Sequence, residues 1–258
     1  MTRLRQIYAK RDVIHALVRR NFLIRYKQSI LGPLWVVLQP VLLTFLFSLV
    51  YIIMGAKESE YPYPLLLFSG LIPWTFFSNA MLSASGSIVD NAPIIKKIYC
   101  PREIFPLASV LTSCVDILIA MFMYVVLLLA YSTPIPAVFT LVSVLVPLHA
   151  LFIFGLALGA SSIAVYRRDV IIGMPLIMQV WMFASPVFYP YSSIPDRLKP
   201  LFLLNPMTGF VEAYRSVLLL GIFPSEGILI SMVAGTAVSV FLGTSIFRGL
   251  EQRFADVI

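Results

Sequence analysis

The chain has 258 residues, 60% of them hydrophobic and only 12% charged, with a mean hydropathy of +0.93. Soluble domains carry about 25% charged residues, so water is excluded as its main solvent. The net charge of +7 does not point to nucleic acid, because eight of the nineteen basic residues precede residue 28, immediately ahead of the first long apolar block; that placement is a membrane-surface and topology signal.

Residues 1–32 read as a cytoplasmic N-terminal segment. Within it, residues 4 to 28 form an amphipathic helix lying on the membrane surface, with Ile14, Leu17, Val18 and Phe22 near one face and Arg19, Arg20 and Lys27 away from it. Lys10 and Arg11 interrupt the apolar side, and a plain basic topology anchor is the blander alternative. No cleavable signal peptide is expected, since about thirty polar and basic residues precede a block of full spanning length.

Six apolar blocks follow, at about 33–54, 64–86, 107–131, 138–164, 170–189 and 228–247. Each approaches the length of about 20 residues that a helix needs to cross a bilayer. The predicted fold is therefore an all-α integral membrane protein. Residues 33–247 form a six-helix transmembrane domain and 248–258 a cytoplasmic tail. With the N-terminus inside, fifteen of the nineteen basic residues face the cytoplasm and only Lys57, Arg197, Lys199 and Arg215 face out. This asymmetry places both termini in the cytoplasm.

The connection after the second block, Asp90 to Glu103, is short, contains Pro93 and Pro101, and mixes apolar residues with Lys96, Lys97 and Arg102. It suits a brief helix that docks to a cytoplasmic partner, with an ordinary basic connector as the alternative. Asp116 is the sole carboxylate inside a block and falls near the bilayer midplane. A lone charge gives a proton relay no next member, so a structural Asp bonded to a neighbouring helix, or kept protonated, is preferred to a substrate contact. Gly155 to Gly159, followed by Ala160, Ser161 and Ser162, offers a small-residue face for close helix packing.

Aromatic side chains are the more suggestive feature. Trp35, Phe45, Phe47 and Tyr51 lie in the first block, and Trp181, Phe183, Phe188, Tyr189 and Tyr191 in or just beyond the fifth. Their flat faces suit a path for a sugar chain; an interfacial belt with lipid-facing filler is the competing reading. Between the last two blocks, apolar stretches near 198–204 and 208–222 are too short to cross, and Asn205-Pro206 turns between them. Together they read as a re-entrant hairpin over about 191–222, placed as an outer gate.

No catalytic, cofactor-binding or metal-ligating residues are assigned. The two histidines, His15 and His149, belong to different parts of the topology, and Cys100 and Cys114 are too few and too close for a disulfide framework. No Gly-x-x-x-x-Gly-Lys-Ser/Thr loop occurs, so any ATP-driven work belongs to another subunit. No internal repeat supports the inverted-repeat design of many secondary transporters.

Five segments carry a family likeness: Tyr26-Lys-Gln-Ser-Ile-Leu-Gly-Pro-Leu-Trp35, Gly70-Leu-Ile-Pro-Trp74-Thr-Phe-Phe-Ser-Asn79, the Asn91 to Arg102 loop, Tyr166-Arg-Arg-Asp169, and Asn205-Pro-Met-Thr-Gly-Phe-Val-Glu-Ala-Tyr-Arg215. In this order and spacing the chain resembles, over nearly its whole length, the membrane subunit of bacterial polysaccharide ABC exporters of the type-2 permease superfamily, in the O-antigen, capsule and teichoic-acid branch. The resemblance implies a permease that is not itself an enzyme, working as a homodimer in the bacterial inner membrane. Two copies of a separate cytoplasmic ATPase, which bind the ATP and Mg, would sit below it, and a lipid-linked polysaccharide, O-antigen first, would be its cargo. It also implies roles for residues. The N-terminal helix and the loop with Pro93, Lys96, Lys97, Arg102 and Glu103 would contact the ATPase. Trp35, Phe45, Tyr51, Trp181, Phe183, Phe188 and Tyr189 would line the glycan channel, and Tyr191, Asn205, Pro206, Glu212 and Arg215 would belong to the outer gate. Alternatives are a lipid or drug permease, a multi-span enzyme acting on lipid-linked sugars, and a membrane scaffold.

Overall fold

The computed structural model describes residues 3–27, 29–53, 61–97, 100–252 and 254. Lys57 and Arg253, two of the charges used to set orientation, lie outside them. Two helices, α1 (Arg3–Ala9) and α2 (Arg11–Tyr26), replace the single N-terminal helix expected, and the break falls at Lys10, where the apolar side is interrupted. Next come α3 (Trp35–Ile53), α4 (Tyr63–Ser85), the short α5 (Ser87–Asp90) and α6 (Ala92–Ile95), and α7 (Ile104–Ala130). The chain continues through α8 (Val142–Tyr166), α9 (Asp169–Phe183), α10 (Lys199–Leu203), α11 (Pro206–Arg215) and α12 (Glu226–Glu251).

Among the described residues, five helices are long and apolar enough to cross a membrane: α3, α4, α7, α8 with its preceding turn, and α12. The fifth expected span is shorter than its apolar block. α9 has 15 residues and ends at Phe183, which makes it about 22 Å long against a hydrocarbon core of about 30 Å. Pro186 and Pro190 withhold backbone donors just beyond it, and the chain turns there beneath α11, with Ser185, Pro186 and Val187 buried.

α4 is the centre of the bundle. Of its spanning stretch 72% is buried within the protein, against 17% for α3. Phe68, Phe76 and Phe77 of α4 pack among Tyr124 of α7, Phe152 of α8 and Phe210 of α11. The small-residue face of α8 meets α12, where a Cβ placed on Gly243 would lie 1.8 Å from the Gly155 carbonyl oxygen. Only backbones bare of side chains approach this closely. Ser239 Oγ donates to the Phe152 carbonyl across the same seam at 3.1 Å.

α2 does not rest free on a surface. Its Leu17 is buried against Ile104, Phe105 and Ala108, with Ile14 and Val18 beside it. Further along, Arg25 pairs with Asp116, twelve residues after the start of α7, so α2 runs up the flank of α7 for about 18 Å of its length. The sequence reading gave Asp116 no charged partner within the membrane; Arg25 reaches it from a helix counted as interfacial. The Tyr26 hydroxyl donates to the other Asp116 oxygen at 3.1 Å. Burial, and then the negative charge of Asp116, push that hydroxyl up to about 12, so it stays a donor.

One end of the bundle gathers α2, α5, α6 and the last turn of α12. Arg20 donates to Asn91 Oδ1 at 2.5 Å, and Tyr166 OH donates to the Leu250 carbonyl at 2.9 Å. The opposite end carries the hairpin α10–α11. Its tip dips inward, since a Cβ on Gly235 would lie 2.3 Å from Pro206, nine residues below the start of α12 and thus about 13 Å deep.

Candidate functional site

The hairpin is held by two polar clasps. At its tip, Asn205 begins α11: its Oδ1 accepts from the Met207 N–H at 3.1 Å, while Pro206 fills the first helical position where no donor is needed. The same oxygen accepts from Trp181 Nε1 at 2.9 Å, and Asn205 Nδ2 donates to the Ala184 carbonyl and to Ser185 Oγ at 3.1 and 2.9 Å. One amide thus joins the tip to the end of α9. At the far end of α11, Arg215 is 1% exposed and pairs with Glu212 on the same face. Its guanidinium also donates to the carbonyls of Pro186, Val187 and Tyr189 at 3.1 to 3.3 Å, while Glu212 accepts the Tyr191 N–H at 2.9 Å. A stretch of irregular backbone at membrane depth has its acceptors satisfied by one side chain, as hydrocarbon surroundings demand. Gly70 of α4 leaves the room for this, because a Cβ there would lie 2.7 Å from Val187 O and 2.9 Å from Arg215 Nη2.

Of the residues expected in an outer gate, Asn205 and Pro206 therefore lie at one clasp, joined by Trp181, which the sequence had placed in a channel, and Tyr191, Glu212 and Arg215 lie at the other. The other ring-bearing residues divide. Trp35, Phe45 and Phe183 are exposed, at 51%, 63% and 62%. Tyr51 instead stacks on Tyr63 with ring centres 4.1 Å apart, and Phe188 packs on Phe47 at 4.3 Å, so these rings fasten α3 to its neighbours. Tyr189 is half-buried, its carbonyl held by Arg215.

At the opposite end Pro93, Lys96 and Lys97 stand exposed on and beside α6. Arg102 and Glu103 differ from the expected docking loop. The Arg102 guanidinium bonds the Glu251 carbonyl and lies 5.4 Å over the Phe254 ring, and Glu103 is buried at the start of α7. Arg102 thereby secures the end of α12, leaving the exposed basic surface to α6, α2 and Arg167–Arg168.

Two features escaped the sequence reading. His149, fully buried, stacks on Phe210 at 4.2 Å within a cage completed by Phe76, Phe77, Phe152 and Tyr214, so it welds α11 to α4 and α8. A cavity of about 410 Å³ lies between α2, α3 and α4, lined by Arg25, Tyr26, Trp35, Gln39, Asn79 and Ser83 among others. Its signal was Gln39, the one amide in the apolar run of α3. A larger apolar groove of about 800 Å³ runs along α8 and α12 below α10, past Gly159, Leu203, Val238 and Leu242.

The profile described as ABC-2 type transporter matches residues 12–219, from α2 to the last turn before Gly221. The chain belongs to this transporter family. The resemblance read from its five segments is thereby upheld, and with it a multi-pass membrane permease rather than an enzyme or scaffold. The O-antigen export system permease protein RfbA of Myxococcus xanthus is 29% identical, over 98% of both chains. The polysialic acid transport protein KpsM of Escherichia coli is 24% identical over 93% of both. The capsule polysaccharide export inner-membrane protein CtrC of Neisseria meningitidis serogroup B is 26% identical over 80% of this chain and 79% of its own.

Proposed function

We propose that this ABC-2 transporter chain is the membrane subunit of an ATP-driven exporter that carries a lipid-linked polysaccharide, O-antigen first among the candidates, across the bacterial inner membrane. The observation that carries this reading is end-to-end similarity to permeases named for O-antigen, polysialic acid and capsule export. Supporting it, α3 and α9 leave apolar, ring-bearing faces uncovered: Trp35, Phe45 and Leu46 on one, Leu176, Val180 and Phe183 on the other. A second copy apposed there encloses a path between subunits that a single compact bundle cannot provide. Both termini are cytoplasmic in this scheme. Separate ATPase subunits, which bind ATP and Mg, dock on α1, α2 and α6 and pass their motion through α2 to α7. The α10–α11 hairpin stands at the exit.

Deleting the gene and resolving surface polysaccharide on a gel tests the proposal. Loss of the O-antigen ladder supports the specific form and loss of capsule supports the broader one; retention of both overturns it. The apolar groove along α8 and α12 favours a second reading, export of a lipid or drug, since such a cargo needs a wide hydrophobic lining. Under that reading the glycans persist and the membrane lipid profile or drug tolerance changes instead.

A further inference from the structure

The polar cavity between α2, α3 and α4 has a composition at odds with its setting. Gln39 lies four residues into α3, and Asn79 and Ser83 lie six and two residues before the end of α4, so all three belong to helices flanked by hydrocarbon. Among the described residues, none of these three side chains makes a hydrogen bond within the chain. Unpaired amides at membrane depth are costly unless a wet or polar occupant satisfies them. The Trp35 ring forms another wall and is half exposed, offering a flat face.

Arg25 at the cavity's edge would suggest a phosphate, but its guanidinium is already bound to Asp116, which also accepts the Tyr26 hydroxyl. The remaining free groups are neutral: two amides, a hydroxyl and an indole. Amides that both donate and accept, beside an aromatic plane, match the alternating hydroxyls and apolar face of a pyranose ring. The volume of about 410 Å³ lies within the range of small-ligand sites, roughly 300–1,000 Å³.

We propose that this cavity is a sugar-binding subsite, in which Trp35 stacks on a ring of the cargo glycan while Gln39, Asn79 and Ser83 hydrogen-bond its hydroxyls. The inference rests on the reading of the chain as a glycan exporter and gives that reading a place of first contact, at the end of the bundle where α2 lies.

The test uses the full chain assembled with its ATPase in lipid nanodiscs. The probe is a fluorescent, lipid-free oligosaccharide cut from the host's own surface glycan. Gln39→Leu, Asn79→Leu and Trp35→Ala should each weaken binding at least about tenfold, whereas Asn79→Gln, which keeps the amide, should stay within about threefold. Ser83→Ala and Trp35→Ala, at half-buried and exposed positions, carry the test if a leucine variant fails to assemble. Binding unchanged in the variants, while the wild-type complex exports glycan into vesicles, overturns the subsite and leaves the exporter standing. Displacement of the probe by inorganic pyrophosphate, with loss of binding on Arg25→Gln alone, makes it a phosphate site and also overturns the proposal. A wild-type complex that neither exports glycan nor binds the probe overturns exporter and subsite together.

Discussion

The helix α4 and the helix α3 are neighbours of similar length, yet the protein treats them oppositely. α4 is surrounded, its aromatic residues interlocked with α7, α8 and α11, whereas α3 touches the rest of the chain along one edge and leaves Leu42, Phe45, Leu46, Leu49 and Ile53 uncovered. α9 follows α3 in this respect, with Ile172, Leu176, Val180 and Phe183 exposed. In a bilayer, apolar exposure alone distinguishes nothing, because lipid tails cover a leucine as well as another helix does. What separates the two regions is where geometry is specified. Backbone contact at Gly155 and Gly243, the Asn205 clasp and the Arg215–Glu212 pair all lie within the block formed by α4, α8, α11, α12 and the end of α9. This block forms a scaffold, and the faces of α3 and α9 are left free to meet another surface.

The contrast can be broken most severely at its tightest point. Gly243→Leu has no room beside the Gly155 carbonyl and should cost about 3 kcal/mol or more, so the protein should fail to accumulate in membranes. Leu46→Ala on the exposed face of α3 should accumulate normally, as immunoblots of membrane fractions would show. Next in size, Arg215→Met strands Glu212 without its cation and leaves three carbonyls unpaired, a loss of about 3–5 kcal/mol that thermal unfolding in detergent would report. Adding Glu212→Gln should recover part of it; additive losses would mean the pair is not a unit. Among the polar pairs, the smallest effect is expected at Asp116→Asn. Arg25 is only partly buried and keeps one hydrogen-bonding partner in the new amide, so the change should cost about 1–2 kcal/mol and leave glycan export largely intact. Abolished export in a normally inserted variant would assign Asp116 a direct part in transport.

The sequence made the scaffold's elements legible because hydrocarbon imposes a coarse rule: long apolar runs must be helices, and two short ones joined at Asn205-Pro206 must turn back. Boundaries were less legible. The fifth block read as reaching residue 189, yet Pro186 stops α9 at Phe183, and the apolar residues beyond it pack under α11 as irregular chain. Side-chain partners across the sequence were not legible at all. The pairing of Arg25 with Asp116 spans 91 positions and depends on α2 leaning along α7, which no local pattern encodes. Likewise, exposed and buried rings have the same composition: Phe45 and Phe47 are two residues apart, and only the fold shows that one faces outward while the other packs on Phe188. Arg102, taken for a docking residue by its charge, is claimed by the carbonyl end of α12.

The most direct test of the account is a cross-link between copies. In a protein with Cys100 and Cys114 replaced by serine, a single Phe45→Cys should give a disulfide-linked dimer in native membranes under mild oxidation. Phe122→Cys, on the equally exposed outer face of α7, should not. Dimer at Phe122 and none at Phe45 would contradict the assignment of the α3 and α9 faces to a path between two copies.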